Sequence, residues 1–164
     1  MPHCTACGHL AEPHEGRHAK CPSCGHIDWS NPVPAVGVAI LRGEQILLAQ
    51  RAREPQAGLW DLVGGFIEPG ETGKQAIARE VAEETGMTLR STELVDVLPG
   101  DYAGRPSINL LFIGQADGEP APADDVAALN WFTLDDLPEL AWPHEAQMLD
   151  QVRQMMEQVK SQVG

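Results

Sequence analysis

Aromatic and basic side chains are both scarce in this 164-residue chain. It has one Tyr, three Phe and four Trp, and 11 Lys plus Arg against 24 Asp plus Glu, for a formal net charge of −13. So few cations argue against a polynucleotide partner, because non-specific affinity for nucleic acid comes from Lys and Arg neutralising phosphates. An acidic protein can still act on small phosphate esters if bound metal reverses the local sign. No apolar run approaches the ~18 residues a membrane span needs. The opening Met1-Pro2-His3-Cys4 lacks the charged-then-apolar order of a secretory signal. A soluble, cytoplasmic protein with no membrane partner is the expectation. Cysteine is absent after residue 24, while an apolar content of 43% is enough for one ordinary domain, or one domain plus a small module.

The four cysteines stand as Cys4-x-x-Cys7 and Cys21-x-x-Cys24, each pair followed by Gly-His. Two such knuckles suit a tetrahedral Zn²⁺ held by four thiolates, with the glycines permitting tight turns; two disulfides are the alternative, disfavoured without a secretory signal. The arrangement resembles a zinc ribbon over residues 1–30. His3, His9, His14, His18 and His26 are read as bystanders. For the ribbon two uses stand side by side, bracing the strand that follows or forming a homodimer.

After the Pro-rich connection 31–34, the pattern predicts strands at 35–41 and 45–51 around a Gly43-Glu44 turn, a polar loop at 53–58, and a strand at 59–63 ended by Gly64-Gly65. Thr72-x-x-Gln75 fits a capping box and Gly86 a C-terminal stop, which brackets a helix. Strands are expected at 89–98, 108–116 and 127–132, with a loop at 99–106 and a mobile surface loop at 117–125. Met148, Val152, Met155 and Val159 recur at helical spacing and read as a core-packing face.

Within the bracketed helix, Glu80, Glu83 and Glu84 fall within about 100° of arc, so three like charges share one face and nothing local neutralises them all. Hard divalent cations such as Mg²⁺ or Mn²⁺ are their natural partners. Gly64, Gly65 and Gly70 let the preceding loop fold close to the helix.

Gly65, Glu71, Arg79, Glu80, Val81, Glu83, Glu84, Gly86 and Met87 occupy every fixed position of G-x5-E-x7-R-E-U-x-E-E-x-G-U, where U is aliphatic. The stretch thus resembles the Nudix box, and the likeness extends over about residues 35–137. The resemblance implies an α+β domain at 35–164, an α/β/α sandwich around a mixed sheet. It implies Mg²⁺ or Mn²⁺ held by Glu80, Glu83, Glu84 and the carbonyl of Gly64 or Gly65, with Arg79 holding Glu71. It also implies a general base that is either a box glutamate or a later loop acid. Asp124 and Asp125 are candidates for the latter, with a merely hydrophilic loop as the alternative. Arg51 and Arg53 could pair with an outer phosphate, Tyr102 could stack on a base, and Arg105 could assist; solvated or incidental roles are the alternatives.

The implied activity is hydrolysis of a diphosphate bond in a nucleoside diphosphate linked to another moiety, of the ADP-ribose, FAD or NAD(H) kind. NADH pyrophosphatases of similar layout are expected to carry Ser-Gln-Pro-Trp-Pro-Phe-Pro after the box. Here the region reads Leu98-Pro99-Gly100-Asp101-Tyr102-Ala103-Gly104-Arg105-Pro106, which favours the shorter ADP-ribose or FAD type. Nucleoside triphosphates and capped RNA are further substrates on the same metals. A non-catalytic Nudix-like sensor with the ribbon as an interaction module is the reading of another class.

Overall fold

The computed structural model describes residues 1–163, with side chains described as far as residue 158. It separates into two compact units, Met1–Pro32 and Val33–Gly164. The first holds β1 (Glu12–His14), β2 (His18–Lys20) and β3 (Ile27–Asp28) in an antiparallel three-stranded sheet. Its two knuckles repeat one geometry. Cys4 N–H donates to His9 O and Gly8 N–H to Cys4 O, as Cys21 N–H does to His26 O and Gly25 N–H to Cys21 O.

The second unit holds β4 (Val33–Arg42), β5 (Gln45–Arg51), β6 (Trp60–Phe66), α1 (Gly73–Thr85), β7 (Thr88–Tyr102), β8 (Arg105–Asp117), β9 (Val126–Thr133) and α2 (Pro143–Val163). The sheet order is β7-β8-β4-β6-β5-β9; β4 and β8 run parallel and the remaining pairs are antiparallel. Alternation along β4 divides the core between two faces. Val36, Val38 and Ile40 pack with Ala76, Ile77 and Val81 of α1, while Ala39 packs with Met148, Leu149 and Val152 of α2. This is the expected α/β/α sandwich. A 13-residue helix such as α1 is marginal alone. Burial of Ile77 and Val81, both 0% exposed, contributes about 1.5–3 kcal/mol each and holds it. Among the described residues no helix is long and apolar enough to cross a membrane.

Three expectations need correction. Strand β6 does not end at Gly64-Gly65 but runs through them to Phe66, because Gly64 and Gly65 pair with Gly37 and Val36 of β4. Residues 99–106 are not a loop. They are the tip of the β7–β8 hairpin, turning at Ala103-Gly104 with φ of 53° and 83°, the mirror-image turn that matches strand twist. Pro106 fits because β4 pairs with β8 only from Ser107 onward, and Pro99 fits because β7 is an edge strand. On α2, Met148 and Val152 are buried as expected, but Met156 rather than Met155 packs on the core; the side chain of Val159 lies outside the described residues.

Helix α1 starts and stops where its signals stand. Thr72 Oγ1 accepts from the Gln75 N–H at 3.3 Å, Gln75 Oε1 accepts from the Thr72 N–H at 2.9 Å, and Gly86 closes the helix at φ 68°. Thr72→Ala removes this box and is expected to cost about 1 kcal/mol. The loss should appear as a lower urea midpoint with an unchanged slope, and an unchanged midpoint would refute the capping account.

Candidate active site

The site begins where α1 lies against β6. A Cβ at Gly64 would fall 2.1 Å from Val36 O, and one at Gly65 would fall 2.4 Å from Glu80 Oε1. Gly64 thus gives clearance to the neighbouring strand β4, and Gly65 to the Glu80 carboxylate. Glu84 Oε2 accepts the Gly64 N–H at 3.0 Å. Glu80 and Glu84 are 9% and 7% exposed. Burial, only partly offset by the Gly64 amide, pushes Glu84 up to about 9, and the charges of Glu80, Asp125 and Asp61 add to it. Keeping Glu84 ionised at neutral pH therefore costs about 3 kcal/mol. Burial also raises Glu80, against the opposing pull of Arg79.

Arg79 neutralises part of this charge, reaching Glu80 and Glu83 but not Glu84. Its Nε and Nη2 donate to the two oxygens of Glu71 at 2.8 and 3.0 Å, and its Nη1 donates to Glu80 at 2.8 Å and Glu83 at 3.0 Å. Nη2 also donates to Phe66 O at 3.1 Å, so every N–H of the guanidinium has a partner. Glu71 in turn accepts the Glu68 N–H, and Arg79 holds its carboxyl below the usual range. Glu83 also meets Arg79 but is exposed, whereas Glu80 and Glu84 are buried.

A cleft of about 370 Å³ opens over these groups. Its acids include Glu80, Glu83 and Glu84 of α1, Asp124 and Asp125 of the 118–125 segment, and Asp61, Glu68 and Glu145. That segment is not a free loop. Ala121 and Ala123 N–H donate to Thr85 and Glu84 carbonyls, and Ala52 N–H donates to Asp125 O, which brings both aspartates to the cleft. Arg51 and Tyr102 line it too. Arg51 donates to Asp61 Oδ2 at 3.3 Å and Pro55 O at 2.9 Å, and Tyr102 lies 5.1 Å from Phe66 and 4.9 Å from Trp142 between ring centroids. Arg53 and Arg105 are exposed and are not part of the lining.

Sequence reasoning missed the wall formed by Asp61, Trp142, His144 and Glu145. Glu145, 2% exposed, accepts from Leu62 N–H at 2.9 Å and Trp142 N–H at 3.1 Å, and Trp142 Nε1 donates to Asp61 Oδ2 at 2.9 Å. The available signals were an acid within an otherwise apolar strand and another in the first turn of an apolar-striped helix. Neither names its partner 84 positions away.

In the first unit, the four Sγ atoms of Cys4, Cys7, Cys21 and Cys24 lie within 4.8 Å of one another and none is in a disulfide. Among the described residues this is the one cluster that brings three or more ligand atoms so close.

The sequence profile of the NUDIX domain matches residues 31–152. The chain belongs to the Nudix family. It is 34% identical over 145 residues to the NAD-capped RNA hydrolase NudC of Chromobacterium violaceum, covering 84% of this chain and 53% of that protein. The chain thus spans about half the length of the curated relatives it matches. Among solved structures, the MutT NUDIX hydrolase of Burkholderia pseudomallei is 35% identical with a TM-score of 0.69, over 74% of this chain and 98% of that one. A NUDIX hydrolase from Nitrosomonas europaea is 26% identical with a TM-score of 0.72, over 96% and 91%.

Glu145 also sets a pH dependence of stability. Burial first, and then the neighbouring Asp61, raise its carboxyl well above the ordinary 4.5. The folded state therefore holds a proton that the unfolded state releases, so stability is fullest below the unfolded pKa and falls as pH rises above it. Thermal midpoints should decline as pH rises above about 5 in the native Nudix protein, and Glu145→Gln should lessen that decline. An equal slope in both proteins would contradict the assignment.

Proposed function

We propose that the protein hydrolyses a diphosphate bond in a nucleoside diphosphate joined to a second moiety, of the ADP-ribose, FAD or NAD(H) kind, and releases a nucleoside monophosphate. The observation that carries this reading is the buried pair Glu80 and Glu84, set against Gly64-Gly65 at the wall of an acid-lined cleft. Among the described residues, Arg51 and Arg79 are the only Lys or Arg in the lining, and both already carry carboxylate partners. A diphosphate would meet net repulsion there.

The donor set fits hard divalent cations, which take carboxylate and carbonyl oxygens and are shared with substrate phosphates. Glu80, Glu84 and the Gly65 carbonyl would hold Mg²⁺ or Mn²⁺, with Glu83 at the rim. When bound, such ions neutralise the diphosphate and acidify a water. The chain's own groups supply the rest. Arg79 and Glu71 keep the box loop in place, Arg51 lies where it can pair with a phosphate, and the proton of the attacking water goes to a box glutamate or to Asp124 or Asp125.

We assign residues 1–30 to a zinc ribbon holding Zn²⁺ through Cys4, Cys7, Cys21 and Cys24, and residues 35–164 to the Nudix hydrolase domain. The net charge argues against a polynucleotide, yet the NudC relatives are named for NAD-capped RNA. The reading kept is a nucleotide-derived diphosphate, with RNA attached to it as one arm of the test.

That test is a panel of ADP-ribose, FAD, NADH, diadenosine polyphosphates, nucleoside triphosphates and NAD-capped RNA, run with Mg²⁺ or Mn²⁺ and read by product identity. Glu84→Gln is expected to lower turnover on the order of 100-fold or more with the fold intact by circular dichroism. Unchanged turnover in that variant sinks the carboxylate-helix mechanism, and ADP-ribose binding without any cleavage would turn the reading into a sensor. Purified protein should carry about one Zn²⁺ per chain, lost in Cys21→Ser; metal-free protein with an intact first unit would refute the ribbon assignment.

A further inference from the structure

Three uncharged polar side chains stand together in the cleft, away from the box. Ser107 and Asn109 lie two apart on β8 and so share a face, and His144 comes from the first turn of α2. Ser107 and Asn109 are 5% and 7% exposed. Buried polar groups are normally hydrogen-bonded, and an Asn side chain offers two donors and an acceptor. Among the described residues, the Asn109 side chain makes one bond, Nδ2 donating to Ser107 Oγ at 3.2 Å. Its remaining capacity is left for what enters the cleft.

The adjoining strand makes room for this group. Gly100 of β7 is the register partner of Ser107. A Cβ there would lie 2.2 Å from Asn109 Nδ2, 2.8 Å from Ser107 Oγ and 3.2 Å from His144 Cε1. Gly100 is not among the residues with positive φ, so glycine serves clearance here and not backbone conformation. Beside the group stand the rings of Tyr102 and Trp142, centroids 4.9 Å apart and inclined by 41°, with the Arg51 guanidinium 5.9 and 5.3 Å from them.

We propose that Asn109, set by Ser107 over Gly100 and joined by His144, reads the hydrogen-bonding edge of the nucleobase attached to the substrate's diphosphate. This rests on the diphosphate-hydrolase reading above. A further phosphate would call for Arg or Lys, and a bare sugar has no planar face to match the rings. Burial holds the His144 ring below its ordinary pKa, which keeps it neutral, with one donor and one acceptor. An uncharged amide, hydroxyl and imidazole beside two rings match a neutral planar heterocycle.

The test uses the full chain with ADP-ribose and its hypoxanthine counterpart, in which an amine donor is replaced by a carbonyl acceptor. Wild type should prefer one base. Asn109→Leu should raise KM for the preferred one roughly 10- to 100-fold, leave kcat within about 3-fold, and bring the preference toward unity. Gly100→Ala should reproduce the KM rise, since its methyl displaces the Asn109 amide with no change demanded of the backbone. The double variant should be no worse than Asn109→Leu alone, the non-additivity of a positioning residue acting through another. Binding of AMP, which keeps the base and has no diphosphate bond to cleave, followed by tryptophan fluorescence with Mg²⁺ present should give the same ranking independently of turnover.

If Asn109→Leu leaves KM, Kd and base preference within about twofold, or if wild type treats both bases alike, the proposal falls while the diphosphate chemistry stands. If wild type neither binds nor cleaves ADP-ribose, both readings fall. Additive losses in the double variant would remove Gly100 from the proposal.

Discussion

Helix α1 lies against β6 at a point where the strand has no side chain to hold it off, and the rest of the site depends on that contact. Gly65 leaves room for the Glu80 carboxylate and the Gly64 amide meets Glu84, so both carboxylates are carried into the interior. Burying two like charges side by side is unfavourable, and the folded chain tolerates it for identifiable reasons. The Gly64 amide donates to Glu84 and the Arg79 guanidinium pairs with Glu80, and the core beneath, with Ile77 and Val81 fully buried, fixes the helix in place. Burying the carboxylates thus sets up a site whose chemistry waits on added positive charge.

Arg79 distributes its donors so that the box loop and the helix form one rigid piece. Its fork closes on Glu71, its other nitrogen reaches Glu80 and Glu83, and the Phe66 carbonyl takes the last N–H. The cleft is assembled around this piece from distant elements. The 118–125 segment hangs from the end of α1 and contributes aspartates, while β7, β8 and the start of α2 contribute rings and uncharged polar groups. Acid from one set of elements and planar, neutral surface from another is an arrangement suited to a charged linkage carrying an uncharged heterocycle.

Much of this was legible locally. The capping box at Thr72, the αL stop at Gly86 and the hairpin turn at Gly43 rest on interactions within a few residues, and each stands where its signal placed it. The misreadings share a different cause. Gly64-Gly65 and Pro99–Pro106 carry turn-like residues, but the first pair is held in a strand by β4 and the second continues two long strands up to a turn of only two residues. The 118–125 segment looked free because its anchors are carbonyls at the far end of a helix. Alanine at positive φ in the 103–104 turn gave no signal at all.

By itself the sequence determined the family, the face shared by the box glutamates and the four-thiol set near the start, because helical period and knuckle spacing are local geometry. Only the tertiary structure decided that Glu83 is exposed while Glu80 and Glu84 are buried, and that Asp61 meets Glu145. The same holds for the place of Asn109 over Gly100. Burial of Glu84 against Gly64 and the meeting of Asp61 with Glu145 join residues tens of positions apart, and Asn109 comes over Gly100 through strand register. Spacing along the chain cannot express such pairings.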